Sequence, residues 1–270
     1  MRPRLGDPAT ALALAATHLA GEEIRRLREV RAFALERKRH GELVTSADLA
    51  SDSIIRRQLR EIDPCVQILS EEGEEGDIDW ARDVWIVDPM DGTVNYVHGS
   101  RQVAISLALV VGGEVKLGVV HAPFRRESFL GLQGGGAWHN VDGRWRPLRL
   151  GEPASLDAAL VGTGFPHDRS DLGPLMRRLQ AVLLECQDVR RLGSPCLDIC
   201  RVATGQLDVY YETVFPWDAA AACLVAREAG ARTGAFMPTS GRWPAVIDGE
   251  NLLVTAPELF DVFAELVRSA

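Results

Sequence analysis

Acidic side chains stand at the ends of apolar segments in three separate parts of the chain. Glu71 lies in Ser70-Glu71-Glu72-Gly73, Asp88 and Asp91 lie in Asp83-Val-Trp-Ile-Val-Asp88-Pro-Met-Asp91-Gly-Thr93-Val-Asn95, and Asp218 follows Pro216-Trp217. Carboxylates are hard oxygen donors. Mg²⁺ usually takes only one or two of them and completes its shell with waters and substrate phosphate. Glu71, Asp88, Asp91 and Asp218 together could therefore hold two or three such ions. A pair of ions about 3.5 to 4 Å apart needs a bridging carboxylate, and Asp88 fits because it ends an apolar strand and is least free to wander. Met90 offers a backbone carbonyl between the two aspartates, and Gly92 and Thr93 open the next element with N–H groups suited to a phosphate oxygen. Taken singly, Pro-Met-Asp-Gly is a β-turn, Glu71-Glu72 a surface pair and Trp217-Asp218 a helix start. Their conjunction points to metal-dependent phosphoryl chemistry.

The elements that must position these groups are partly readable. Asp7-Pro8 caps a long amphipathic helix, with apolar residues at helical spacing to about residue 37. Thr45 or Ser46 caps a second helix through Arg60, and residues 66–69 form a short strand that ends at Glu71. The acidic stretch 73–83, with Glu74, Glu75, Asp77 and Asp79, is a surface loop. Residues 103–111 and 114–122 are β-rich runs around Gly112-Gly113, a hairpin signal because both turn positions can take positive φ. Beyond residue 155 the pattern alternates: strand 159–164, helix 173–185, strand 189–192, helix 195–203, strand 207–211 and helix 217–229, then strand 252–255 and helix 257–267. The fold class is therefore α+β / α/β, with an antiparallel-rich first half (1–152) and an α/β second half (153–270) that meet at Glu152-Pro153.

Composition excludes other classes. The chain has 270 residues, 46% of them hydrophobic, and a formal net charge of −8, which disfavours nucleic acid as a partner. Five cysteines (Cys65, Cys186, Cys196, Cys200, Cys223) contain no CxxC pair, which reads as a reduced, cytoplasmic protein. No apolar run approaches the length of a membrane span, and none resembles a signal peptide. Gly134-Gly135-Gly136-Ala137 lacks the spacings of a phosphate cradle and reads as a turn. The histidines (His18, His40, His98, His121, His139, His167) form no metal or triad pattern, although His98 follows the central motif closely enough to line a cleft. Asp88 and Asp91 are three residues apart, whereas a dehalogenase-type phosphatase places its two aspartates two apart.

Glu71-Glu72, the segment Trp85 to Tyr96 and Trp217-Asp218-Ala219-Ala220-Ala221 resemble the hallmarks of the inositol monophosphatase family. The resemblance extends through Leu43 to Asp48, Gly134 to Ala137, Arg191 to Ser194 and Glu228-Ala-Gly230. It implies a layered αβαβα sandwich of the sugar phosphatase type, two or three Mg²⁺ per site, lithium inhibition and a homodimer. Position by position, it implies that Glu71, Asp88 and the Met90 carbonyl hold one ion and that Asp88, Asp91 and Asp218 hold a second. It makes Glu71 and Thr93 the activators of the water nucleophile, with Asp48 bonding the threonine. Phosphate would contact the Gly92 and Thr93 amides, and the alcohol would contact Asp91, Gly193, Ser194, Glu212 and Asp218. The substrate implied is inositol 1-phosphate or a related polyol or sugar phosphate; histidinol phosphate, a nucleotide 3′-phosphate and a non-catalytic, macromolecule-binding role stand as alternatives. Pro195 after Gly193-Ser194, a short segment from Glu212 to Trp217, and Glu42 in place of an aspartate depart from the family pattern.

Overall fold

The computed structural model describes residues 6–37, 43–73, 78–153, 155–166 and 170–270. Glu42, Glu74, Glu75, Asp77, His40 and His167 lie outside them. In chain order the elements are α1 (Pro8–Glu29), β1 (Leu35–Arg37), β2 (Leu43–Thr45), α2 (Ser46–Ile62), β3 (Gln67–Ser70), β4 (Val84–Asp91), α3 (Thr93–Val97), β5 (Ala104–Val111), β6 (Glu114–Ala122), β7 (Glu127–Leu132), β8 (Gly136–Val141) and β9 (Arg144–Leu148). There follow β10 (Leu160–Thr163), α4 (Gly173–Glu185), β11 (Asp188–Arg190), α5 (Pro195–Ala203), β12 (Val209–Glu212), α6 (Pro216–Ala229), β13 (Arg232–Ala235), β14 (Leu252–Thr255) and α7 (Pro257–Ser269).

These elements stack in five layers. Strands β3 to β9 form one sheet in chain order, parallel only between β3 and β4. Strands β11-β10-β12-β14-β13 form the second, with β10 parallel to both β11 and β12. Helices α1 and α2 cover the outer face of the first sheet, α5 and α6 lie between the sheets, and α4 and α7 pack together on the far side of the second. The layered αβαβα sandwich is thus realised, with an antiparallel-rich first sheet and parallel pairing in the second.

Burial follows directly from the layers. All eight residues of β4 are buried, because its two faces serve different cores. Trp85, Val87 and Met90 face α1 and α2, whereas Val84 and Ile86 face the middle helical layer. That two-sided burial explains an uninterrupted apolar run in place of alternation. Helix α6 can lie close to the first sheet because Gly118 and Gly131 present no side chain there; a Cβ on Gly118 would stand 2.6 Å from the Ala221 carbonyl oxygen.

The first helix is shorter than its apolar spacing predicts. Asp7 does cap it, its Oδ1 accepting from the Ala9 N–H at 3.0 Å, but it ends at Glu29. Arg31 then takes a positive φ of 51°, and residues 35–37 pair antiparallel with β2, so strand pairing overrides the helical pattern. Gly112 and Gly113 both take positive φ in the β5–β6 hairpin, as expected. The Gly134 and Gly136 N–H groups donate to the Glu228 carboxylate at 2.8 and 2.9 Å, so the glycine-rich segment is a turn tied to α6.

Candidate active site

Three carboxylates converge where the first sheet meets the middle helices. Oxygens of Asp88, Asp91 and Asp218 all lie within 4.8 Å of one another. Asp88 and Asp91 straddle an irregularity in the β4–β5 register, which turns both side chains to one place. Asp218 comes from the first turn of α6, where its Oδ2 accepts the Phe215 N–H at 2.8 Å. A hydrogen bond of 2.9 Å from the Ser106 hydroxyl to the Trp217 carbonyl ties that turn back to β5.

Each aspartate is held by one oxygen. Asp91 Oδ2 accepts from the Ser194 hydroxyl at 2.7 Å and the Cys196 N–H at 2.9 Å, so the start of α5 clamps it. Asp88 Oδ1 accepts the Met90 N–H at 2.9 Å, while Asp88 Oδ2 is buried without a hydrogen-bond partner among the described residues. Asp88 is 1% exposed, so such an orphaned oxygen is costly unless a cation or a proton satisfies it. Burial and then the charges of Glu71, Asp91 and Asp218 push the Asp88 carboxyl well above the usual carboxylate range. Asp91 is raised to about 6 by burial, against the bonds from Cys196 and Ser194. Asp218 is raised well above its ordinary value by burial and then by Asp91 and Glu71. Crowded, buried carboxylates with an open oxygen are the donor set a divalent cation fits.

Glu71 stands beside this trio. It follows β3 directly, and its N–H bonds the Val87 carbonyl at 3.1 Å, which sets it alongside Asp88. On the other side, the Thr93 hydroxyl donates to Asp48 Oδ1 at 2.9 Å and reaches the Met90 carbonyl at 3.3 Å. Asp48 is 1% exposed, and its Oδ2 accepts from both the N–H and the hydroxyl of Thr45 at 2.7 and 2.6 Å. The capping box of α2 therefore fixes the acid that orients Thr93.

Gly92 takes a φ of 95°, and a Cβ there would stand 2.8 Å from the Gln102 carbonyl, so the turn into α3 requires glycine. The Asn95 amide donates to the carbonyls of Gln102, Leu192 and Gly193 at 2.8, 2.8 and 3.1 Å. It thereby brings the Gly193-Ser194 segment against the motif that bears Asp88 and Asp91. Asn95 stood in the sequence motif without a role, and this bridge needed the fold to be seen. Glu212, at the end of β12, accepts the Tyr210 hydroxyl at 2.5 Å and packs against Gly164, where any side chain would collide with its carboxylate. Burial raises Glu212 to about 7. His98 sits exposed at the end of α3.

The match to known proteins is broad. The model of the inositol monophosphatase family matches residues 6–270. The chain belongs to the inositol monophosphatase family. An inositol-1-monophosphatase of Rhizobium meliloti (strain 1021) is 39% identical over 204 residues, covering 75% of each chain. Nus factor SuhB of Pasteurella multocida (strain Pm70) is 36% identical over 232 residues, 83% of this chain and 84% of that one. Among solved structures, the extragenic suppressor protein suhB of Bartonella henselae superposes with a TM-score of 0.86 at 28% identity, covering 98% of this chain and all of that one. Membership in the inositol monophosphatase family supports the hydrolase class. It also gives the converging acids a reason to be buried together, since this family is metal-dependent.

Proposed function

We propose that the protein hydrolyses phosphate monoesters of small polyols with Mg²⁺, myo-inositol 1-phosphate foremost. The observation that carries this reading is the convergence of Asp88, Asp91 and Asp218 around the partnerless Asp88 Oδ2. Glu71, Asp88 and the Met90 carbonyl would hold one ion, and Asp88, Asp91 and Asp218 a second. Bound there, Mg²⁺ lowers the pKa of a coordinated water and neutralises charge on the phosphoryl group and the leaving oxygen.

The chain's own groups do the rest. The Thr93 hydroxyl donates to Asp48, so its oxygen is free to accept a proton from the attacking water, with Glu71 as the second acceptor. The Gly92 and Thr93 N–H groups hold phosphate oxygens. Asp91, Gly193, Ser194, Asp218 and Glu212 line the alcohol half. Water attacks phosphorus as its proton passes to the Glu71 and Thr93 pair, the P–O bond to the alcohol breaks, and the departing alkoxide takes up a proton from solvent.

The test is phosphate release from inositol 1-phosphate, histidinol phosphate, fructose 1,6-bisphosphate and adenosine 3′,5′-bisphosphate, each with Mg²⁺ and with EDTA. Mg²⁺-dependent release supports the reading, and the order of rates ranks inositol phosphate against histidinol phosphate and a nucleotide 3′-phosphate. Relatives named Nus factor SuhB favour one further reading, a role carried by a protein surface. Asp88→Asn separates the two, because a surface role survives it and hydrolysis does not. By kinship the enzyme is expected to be a lithium-sensitive, cytoplasmic homodimer; no helix among the described residues is long and apolar enough to cross a membrane.

A further inference from the structure

Asp198, in the first turn of α5, is a buried acid that the proposed chemistry leaves unused. It is 2% exposed, and its Oδ1 is buried with no hydrogen-bond partner among the described residues. Nothing among the described residues donates to its other oxygen. The donors at the start of its own helix are already spent on a different carboxylate: the Ser194 hydroxyl and the Cys196 N–H both go to Asp91, and Pro195 has no N–H. Arg201, one turn further along, is equally committed, since its two terminal nitrogens bond the Glu127 carboxylate at 2.9 and 2.8 Å.

The neighbourhood of Asp198 is the alcohol half of the site. Its carboxyl is raised well above the usual range by burial first, then by Asp91 and Glu212, while Arg201 and Arg191 pull the other way. Tyr210, whose hydroxyl bonds Glu212, feels Asp198 as well. Arg191 is exposed, with its guanidinium close over Gly193, and Asp198 forms no ion pair among the described residues. The groups that face Asp198 therefore come from β4, β12, the turn before α5 and α5 itself. Leaving a carboxyl buried and unbonded costs free energy that an apolar residue of the same shape would not. Every residue of α5 from Cys196 to Ala203 is buried, so a leucine at 198 would be enclosed in the fold and not set on its surface. An acid buried here with neither oxygen bonded by a described residue is stabilised by a bonding partner that arrives from the site.

We propose that Asp198 is a specificity-determining residue for the alcohol half of the substrate, its Oδ2, the carboxyl oxygen that the protein does not fully enclose, holding one ordered water that receives a hydroxyl of the polyol seated against Glu212. The mode is indirect because Asp198 lies too deep for substrate to touch, and a bridging water is nearly as effective as a direct bond. The proposal rests on the phosphatase reading and adds a selectivity to it: esters that carry hydroxyl groups are favoured over esters that carry none.

The experiment compares wild type, Asp198→Asn and Asp198→Leu on inositol 1-phosphate and on phenyl phosphate, with thermal unfolding of each protein. Asp198→Leu is expected to raise KM for inositol 1-phosphate about tenfold, and to raise KM for phenyl phosphate far less, with kcat little changed. Asp198→Asn keeps a polar anchor for the water, and its KM for inositol 1-phosphate should stay within about threefold of wild type. The melting temperature of Asp198→Leu should hold or rise by roughly 2–4 °C, because an unbonded acid leaves the core. A purely structural role would instead lower it. Equal loss on both esters, or a destabilised leucine variant, overturns the proposal while leaving the phosphatase reading intact. A wild type that releases no phosphate from either ester with Mg²⁺ overturns both, and that silence tells the second failure from the first.

Discussion

Asp88 concentrates the residue-scale argument, being the most buried of the three converging acids and the one whose unbonded oxygen is fully enclosed by the described residues. Asp88→Asn keeps the shape and removes the charge, so turnover should fall at least about a hundredfold. The metal-free variant should unfold no earlier than wild type in urea, because the substitution also relieves repulsion from Glu71, Asp91 and Asp218. Turnover at the wild-type rate would sink the metal assignment. Glu212 offers a pH test that avoids the metal ligands. Its pKa rises from 4.5 to about 7 on folding, so the folded state binds the proton more tightly than the unfolded one. The stability this contributes is complete below pH about 4.5 and disappears as pH rises through about 7. In EDTA, wild type should therefore lose stability relative to Glu212→Gln across that window. Parallel curves for the two proteins would show that Glu212 titrates normally.

Helix α6 carries the argument at the scale of elements, because it delivers Asp218 from the second half of the chain to two aspartates of the first. Its approach depends on Gly118 and Gly131, whose missing side chains let the helix backbone rest on β6 and β7. Gly118→Val should force α6 away from the sheet, costing roughly 1–3 kcal/mol from overpacking and reducing turnover more than tenfold as Asp218 leaves its partners. Urea unfolding and Mg²⁺-dependent phosphate release would measure the two effects, and an unaltered rate would mean that α6 does not set the site. None of this spacing was legible in the sequence, where Gly118 is one glycine inside a strand. What was legible had local causes: the Asp7-Pro8 cap, the Gly112-Gly113 turn and the uninterrupted apolar run of β4. The end of α1 was not, because the strand at 35–37 exists only through pairing with β2. Strand β13 was equally hidden: its four residues include a glycine and take their conformation from β14.

At the scale of the whole molecule, the candidate site joins layers that are far apart in sequence. Glu71, Asp88 and Asp91 come from the first sheet and Asp218 from the helices between the sheets, and a single apolar cluster runs from β4 through α5 and α6 to β12 and β14. The motifs that carry the acids were visible, since each has its own local sequence. Their meeting was an expectation drawn from the conjunction of three acidic element ends, to which kinship added the role of each residue, and Asp198, which lies outside those motifs, was not visible at all. A cation bound at the junction would link the layers as well as serve the chemistry. Because it binds the folded chain and not the unfolded one, Mg²⁺ at 100 times its Kd should add about 2.7 kcal/mol of stability. For a chain of this size that corresponds to a rise in melting temperature of roughly 5–10 °C over the EDTA-treated protein. The rise should shrink in Asp218→Asn, which removes the contribution of α6. It should also fade as pH drops below about 6, where Asp91 takes up a proton and metal must displace it. Differential scanning calorimetry across Mg²⁺ concentration and pH reads all three effects. An equal rise in wild type and Asp218→Asn would place the ion on the first sheet alone and break the link between the layers.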